Sequence, residues 1–261
     1  MAGTGLRAIV AILLVAFGAG RAWADDPAAP RRVPEGAKLL VVDAMEPRLF
    51  HRHTGATGFS SFGRQLDGNS DALVRVRERL SSTIRGAGYD VAWEIVPESM
   101  AQPGKRYMFP RRGPFLMGLN KRNAEWVREK MRQHDAVAVV VIFPEMYPGF
   151  VNPTAYGLGL ATVFGNPPRD TWITAVVGAY VLLGSELEML PHPLEPEGCS
   201  KVVEFPTLQA ASIKSLSGDH LKPYNDTIAD LAERNVRQQL SVSGALGLTT
   251  APCPSSRLPV P

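Results

Sequence analysis

Short apolar runs alternate with amphipathic segments through the first half of the chain. KLLVVDAM (38–45), YDVAWEIV (89–96) and DAVAVVVIFPE (135–145) are apolar over most of their length, which is typical of strands buried on both faces of a sheet. Between them, residues 71–85 and 119–133 repeat apolar side chains every three or four positions, which predicts helices. The order strand, helix, strand, helix, strand predicts a parallel sheet with right-handed crossovers.

Segments rich in valine, threonine and aromatic residues dominate the second half of the chain. AYGLGLATVFG (155–165), WITAVVGAYVLL (172–183), SELEML (185–190) and KVVEF (201–205) are separated by turn-forming residues. They predict an antiparallel meander that extends the sheet. The last pattern, at 223–241, is an amphipathic helix with aspartates early and arginines late, which suits the helix dipole.

The predicted fold is a single α/β domain over residues 38–245, built as a two-layer or three-layer sheet. A parallel β-α-β-α-β first half is extended by the antiparallel meander, and a C-terminal helix closes the domain. A Pro/Ala-rich linker at 25–37 is expected to precede the domain, and an irregular tail at 246–261 to follow it.

The connections that leave the predicted strands are long, and those that lead from helix back to strand are short. The long ones cover residues 46–70, 97–118 and 144–155, whereas Gly86–Gly88 and His134 form the short ones. In a parallel sheet the long set lies at the carboxyl edge of the strands, where ligands of open α/β sheets bind. Loops of this length are unusual without a role, so we expect the ligand face at that edge.

The N-terminus has the pattern of a signal peptide. A basic start, the apolar run AIVAILLVAFGAG and the small residues of RAWA predict that residues 1–24 are cleaved after Ala24. The apolar run is too short for a spanning helix with stop-transfer flanks, so we do not expect an integral membrane protein. The sequence therefore predicts a periplasmic or secreted protein.

The cysteine count and the net charge narrow the class further. In an oxidising compartment, Cys199 and Cys253 favour a disulfide that ties the tail to the domain, and two unpaired thiols are the alternative. The 28 lysines and arginines fall to 26 when Arg7 and Arg21 leave with the signal peptide, against 25 acidic residues. A net charge near +1 argues against a nucleic-acid binder, and no motif indicates a cofactor.

The stretch LFHRHTGATGFSSFGRQLDG, residues 49–68, has no regular periodicity and is predicted to be a loop that leaves the first strand. His51 and His53 form an H-x-H pair, whose rings would share one face of a strand, but the spacing supplies no third metal ligand. Polar groups of this loop, together with Asp43, would be the site of any hydrolysis.

Arg52 and His53 are similar to the Arg-His-Gly start of histidine phosphatases, in which the histidine accepts the phosphoryl group. Thr54 stands where that family has glycine, and seven residues separate Met45 from His53. The resemblance covers three residues. It implies Arg52 and His53 as catalytic residues of an alternative function, for which Asp43 at the end of the first strand is a further candidate.

A second polar stretch, residues 105–112, interleaves basic and aromatic side chains, a composition that binds anionic polymers or lipid headgroups. It follows the second predicted strand, so it shares the carboxyl edge with the loop at 49–68. The predicted ligand-binding residues are His51, His53, Arg64, Lys105, Arg106, Arg111 and Arg112.

The layout of the elements is similar to that of periplasmic envelope-assembly domains of the TolB amino-terminal and curli-secretion accessory type. KLLVVDA, the helix ending in GAGYDV, DAVAVVVI, AVVGAYVLLGSELEML and the closing amphipathic helix carry this resemblance. It implies a non-catalytic domain that docks other envelope proteins.

These observations predict a binding or accessory protein of the cell envelope. Its partner is expected to be an envelope protein or an anionic component: a lipid headgroup, lipopolysaccharide or peptidoglycan. The alternative function is a periplasmic hydrolase that acts on a phosphoester, with the segment 43–64 as its site.

Overall fold

The chain folds into a mixed α/β structure, with a curled sheet of parallel and antiparallel strands followed by a C-terminal helix. The computed structural model describes residues 32–57, 60–100, 119, 121–147, 155–163, 170–190, 202–204 and 213–249. All of these belong to the compact unit Arg32–Pro261. The predicted signal peptide, the basic residues Lys105, Arg106, Arg111 and Arg112, and both Cys199 and Cys253 lie outside the described residues.

Three parallel strands form one half of the sheet. β1 (Lys38–Asp43) pairs with β4 (Asp90–Ile95) on one side and with β5 (Ala138–Pro144) on the other. Leu39 and Val42 are among the side chains of β1 with no exposed surface, as expected for a strand covered on both faces. The continuous apolar runs in the sequence are therefore explained by burial on both sides.

The three predicted helices are present within a few residues of their expected bounds. They are α1 (Asp71–Gly86), α2 (Lys121–His134) and α3 (Asn225–Ser243). Residues of α1 and α3 share one apolar cluster with Leu39 and Val41, whereas residues of α2 share a second cluster with neighbouring positions of β1. Consecutive side chains of a strand point to opposite faces, so the two clusters lie on opposite faces of the sheet. In the described part of the chain, no helix is long and apolar enough to cross a membrane.

The prediction of one long loop at 46–70 is wrong. This segment contains β2 (Phe50–Thr54) and β3 (Phe62–Gln65), which pair with each other antiparallel. β2 also pairs parallel with β7 (Ala155–Val163), and β7 in turn pairs with β8 (Asp170–Leu183). The pair therefore lies at the far end of the strand order β3-β2-β7-β8-β5-β1-β4. The partner of β2 lies about a hundred residues along the chain, which is why local periodicity did not reveal it.

The longest strand, β8 (Asp170–Leu183), connects the two halves of the sheet. It pairs antiparallel with β5 through residues 177–183 and with β7 through residues 170–176. Three short strands complete the sheet: β6 (Met146–Tyr147), β9 (Glu188–Met189) and β10 (Val202–Glu204). The interpretation of residues 172–183 as a strand is therefore confirmed.

Two amide side chains of α3 bind the backbone of β8 where its pairing passes from β7 to β5. Gln239 donates from Nε2 to the carbonyl of Val177 at 2.7 Å and accepts the N–H of Ala179 at 2.7 Å. Asn235 donates from Nδ2 to the carbonyl of Ala175 at 2.7 Å. Both amides are almost fully buried. They satisfy buried backbone groups of β8 that would otherwise carry a desolvation cost.

Replacing Gln239 with leucine should therefore destabilise the protein more than its loss of packing suggests. Gln239→Leu keeps most of the volume but leaves the carbonyl of Val177 and the N–H of Ala179 unpaired, at a cost of about 2–4 kcal/mol in the free energy of unfolding. Urea denaturation followed by circular dichroism measures the change. Gln133→Leu, at an exposed position of α2, is the control and should change this free energy by less than about 0.5 kcal/mol. Equal effects of the two substitutions would contradict the role of Gln239.

Candidate functional site

A buried carboxylate holds an arginine at the carboxyl end of β1. Oδ2 of Asp43 accepts a hydrogen bond from Nε of Arg77 at 2.6 Å, and Oδ1 accepts the backbone N–H of Met45 at 2.9 Å. The Asp43 side chain is 3% exposed and the Arg77 side chain 31% exposed. Asp43 is therefore a buried anchor, and the Arg77 side chain is the partly exposed member of the pair.

Only the Nε edge of the Arg77 guanidinium forms a hydrogen bond with a described residue. Nε bonds to Asp43, and no described residue binds the two Nη groups. A guanidinium carries five N–H donors in a planar fork, which matches the oxygens of carboxylates and phosphates. The geometry therefore leaves an arginine at the carboxyl edge with donors available to an anion.

The H-x-H pair of β2 is buried and bonded to one threonine of the neighbouring strand. Nε2 of His51 and Nδ1 of His53 each lie 2.8 Å from Oγ1 of Thr162 on β7. The ring of Phe62 packs against both imidazoles, with ring centroids 5.3 Å from His51 and 5.1 Å from His53. His51 has no exposed surface and His53 is 5% exposed. As expected for a strand, the two rings share one face.

The proton positions of His51, His53 and Thr162 follow from matching each hydrogen-bond donor of this cluster to an acceptor. Nδ1 of His51 is buried and no described residue binds it. A proton there would be a buried donor without an acceptor, which is rarer and costlier than a bare acceptor. Neutral His51 therefore carries its proton on Nε2 and donates it to Thr162, whose hydroxyl proton is then available to Nδ1 of His53. This assignment pairs all three atoms.

Burial and charge keep both imidazoles neutral. Burial, assisted by the positive charge of Arg64 and by the neighbouring imidazole of His53, lowers the pKa of His51 to about 3. Burial also lowers the pKa of His53. A base of such low pKa removes protons poorly near pH 7, and a side chain without exposed surface does not meet a substrate. The hydrogen bonds of His51, His53 and Thr162 therefore stabilise the packing of β2 against β7.

Arg64 of β3 binds the backbone of a distant segment. Its Nη2 atom lies 3.1 Å from the carbonyl oxygens of Ile213 and Lys214 and 2.8 Å from that of Leu216. One arginine therefore fastens β3 to the turn that precedes α3. Arg64 is also the cross-strand neighbour of His51, which explains its effect on the pKa of that residue.

Glu46 is a buried polar residue that sequence reasoning missed. It is 3% exposed; its Oε1 accepts the hydroxyl of Tyr156 at 2.9 Å and its Oε2 accepts Nε2 of Gln65 at 2.9 Å. Thr162 was missed as well. Its only sequence signal is a hydroxyl at a position of an otherwise apolar strand, and for Glu46 the sequence carries no signal.

The structure brings some of the predicted site residues together and separates others. His51, His53 and Arg64 lie on the adjacent strands β2 and β3. Asp43 lies on β1, with β5, β8 and β7 between it and β2 in the strand order, and its partner is Arg77. Neither histidine bonds to Asp43. In the residues described, no group of three His, Cys, Asp or Glu side chains is arranged to hold a metal ion.

Neither protein-family models, nor curated proteins, nor solved structures match this chain. No relative therefore supplies a role for Asp43, Arg77 or the histidine pair. The chemistry of these side chains carries the functional assignment.

The buried neutral histidine should make the folded state sensitive to acid. Its pKa is about 3 in the folded protein and 6.5 when exposed, so below pH 6.5 the unfolded state binds a proton that the folded state does not. The free energy of unfolding should therefore fall as the pH decreases from 6.5 toward 3, by up to about 1.4 kcal/mol per pH unit from His51.

His51→Gln keeps an N–H near the position of Nε2 and removes the titration, so urea denaturation of this variant at pH 5, 6 and 7 should show a flatter pH dependence. The carboxylates shared by both proteins cancel in the difference between them. Parallel pH profiles of the wild type and the variant would contradict the buried neutral assignment.

Proposed function

We propose that this chain is a non-catalytic binding or accessory protein of the cell envelope. In this proposal the signal peptide at 1–24 directs export, and the mature protein is periplasmic or secreted. The fold is the three-layer form of the predicted α/β domain, and its ligand face is the carboxyl edge of the parallel strands. Open α/β sheets bind ligands at this edge.

Arg77 is the observation that carries the proposal. It is held by a buried carboxylate at the carboxyl end of β1, is partly exposed, and has two Nη groups that no described residue binds. An arginine oriented in this way is suited to phosphate or carboxylate oxygens. The proposed ligand is therefore an anionic envelope component, with a phospholipid or lipopolysaccharide phosphate or a peptidoglycan carboxylate as the group recognised.

The basic stretch supports the same ligand class. Lys105, Arg106, Arg111 and Arg112 follow β4 in the sequence, after its carboxyl end at Ile95. In the proposal the positive charges of this stretch attract the same anionic ligand, and its aromatic residues suit the apolar part of that ligand. An envelope protein with an acidic surface is the alternative partner.

The hydrolase hypothesis receives less support from the same residues. It requires Asp43, Arg52 and His53 around one concave site. His53 instead bonds to Thr162 inside the sheet, and Asp43 bonds to Arg77 on a separate strand. The binding hypothesis uses the Nη groups of Arg77, which no described residue binds. The hydrolase would need His53 and Asp43, which already form hydrogen bonds within the fold.

Arg77→Lys should weaken binding to an anionic surface without removing the ion pair. A lysine can still place its ammonium near Asp43, but it offers no second edge to a phosphate, so the Kd should rise about tenfold. Co-sedimentation of residues 25–261 with phosphatidylglycerol vesicles, lipopolysaccharide micelles and peptidoglycan measures the binding and distinguishes the three sources. Phosphatidylcholine vesicles are the uncharged reference. Binding should also weaken as salt is added.

Arg75→Lys is the matched control, because Arg75 lies on the same helix but pairs with the exposed Asp226. It should leave the Kd unchanged. Equal binding of both variants, or equal binding to neutral and anionic surfaces, would contradict the proposal. Hydrolysis of a phosphomonoester that disappears in His53→Ala, but persists in Arg77→Lys, would favour the hydrolase.

A further inference from the structure

Among the described residues, none pairs with the outer edge of β4. β4 ends the strand order on its side, and Asp90 and Val96 donate their backbone N–H groups toward β1. Alternation along the strand therefore directs the backbone groups of residues 91, 93 and 95 away from the sheet. The N–H of Val91 is bound by the carboxylate of Asp90 at 2.8 Å. No described residue binds the outward groups of Trp93 and Ile95.

The side chains along this edge are apolar on the face that carries α1. Val91 is buried, Trp93 is partly buried, and Ile95 is 56% exposed. Proteins usually protect an open edge strand with lysine, proline or a bulge, and the outward positions of β4 have none of these. An open edge with apolar side chains is a template for another strand.

A groove of about 400 Å³ runs between this edge and α1. Glu78 and Arg85, both exposed, line it on either side of two serines, and Trp93 lines its sheet side. Arg77 also lines this groove, so the contact proposed below lies beside the proposed ligand site. Neither Glu78 nor Arg85 forms an ion pair with any described residue. The indole N–H of Trp93 donates to Oγ of Ser81 at 2.7 Å, which places Trp93 at the level of the serines.

The acidic residues of β4 exclude two registers for pairing with a second copy, and of the registers that remain, the one centred on Trp93 pairs the most residues of the strand. In an antiparallel pair centred on Trp93, Val91 lies opposite Ile95 of the second copy and Ala92 lies opposite its Glu94, so no two acidic residues face each other. Centring the pair on Ala92 sets Glu94 opposite Asp90. Centring the pair on Glu94 sets the Glu94 carboxylates of the two copies opposite each other. Like charges directly opposite destabilise a sheet, and apolar pairs stabilise it.

The groove is self-complementary under the same two-fold axis. An axis through Trp93, perpendicular to the sheet, would bring the two α1 helices side by side and antiparallel. Glu78 and Arg85 lie on opposite sides of the level of Ser81, so Glu78 of one copy would meet Arg85 of the other, twice. The small side chains of Ser81 and Ser82 allow the helices to approach closely. Backbone, apolar and charged groups all fit the same symmetry.

We propose that two copies of this chain associate through the β4 edge, so that the sheet continues across both copies and the two α1 helices pack against each other. The isologous contact buries Ile95, pairs the outward backbone groups of Trp93 with those of Trp93 in the second copy, and pairs the N–H of Ile95 with the carbonyl of Val91. It also forms two ion pairs, each between Glu78 of one copy and Arg85 of the other. This inference does not depend on the ligand proposed above.

Charge reversal provides the test. Residues 25–261 should sediment as a concentration-dependent dimer, whereas Glu78→Arg alone and Arg85→Glu alone should each raise the dimer Kd at least about tenfold. Mixing these two variants should restore a dimer, because both contacts between them then join opposite charges, one in the native sense and one reversed. Ile95→Lys should also give a monomer. Val242→Lys, at an exposed apolar position on α3, is the matched control and should leave the dimer unchanged.

Three outcomes would overturn the proposal. The first is a wild-type chain that stays monomeric at about 100 µM, well above the Kd expected for a specific dimer. The second is a dimer that persists in Ile95→Lys, which would place the contact elsewhere. The third is a mixture of the charge variants that does not associate although both are folded by circular dichroism. Ligand binding measured on a monomeric variant separates a failure of this inference from a failure of the proposed function.

Discussion

The backbone of β8 is the constraint on which the rest of the structure depends. This strand of 14 residues belongs to both halves of the sheet, and its buried N–H and C=O groups need partners along its whole length. β5 and β7 supply most of them, and Asn235 and Gln239 bind groups at residues 175, 177 and 179. Because each amide must reach a particular group, α3 can occupy only one position along β8.

The same requirement explains why the residues that look most reactive lie in internal contacts. His51 and His53 are inside the sheet because Thr162 satisfies one nitrogen of each ring, and Arg64 is held because three backbone carbonyls accept from it. Buried polar groups of this kind specify the packing of β2 and β3 against β7 and the turn before α3. These side chains therefore stabilise the fold.

The polar groups on which both proposals depend, and which no described residue binds, lie at the β4 end of the strand order. The Nη groups of Arg77 and the outward backbone of Trp93 and Ile95 belong to the region around β1, β4 and α1, where the parallel strands end. Arg77 also lines the groove between β4 and α1, so a ligand face at the carboxyl edge and a two-fold contact along the strand would meet at this residue. Because the two β4 strands would run antiparallel, the carboxyl edges of the two copies would point in opposite directions, and each copy would present its own Arg77 separately.

The sequence alone determined the elements that depend on local periodicity: the three helices, the apolar strands β1, β4 and β5, and the strand character of residues 172–183. It also pointed to the carboxyl edge, since loop lengths follow from chain order. Only the tertiary structure decided that the stretch at 49–68 contains β2 and β3, because its polar side chains become buried only when Thr162, far along the chain, is beside them. For the same reason the partners of Asp43 and Gln239 could not be read in advance: a hydrogen bond between distant residues leaves no periodic trace, whereas an apolar face does.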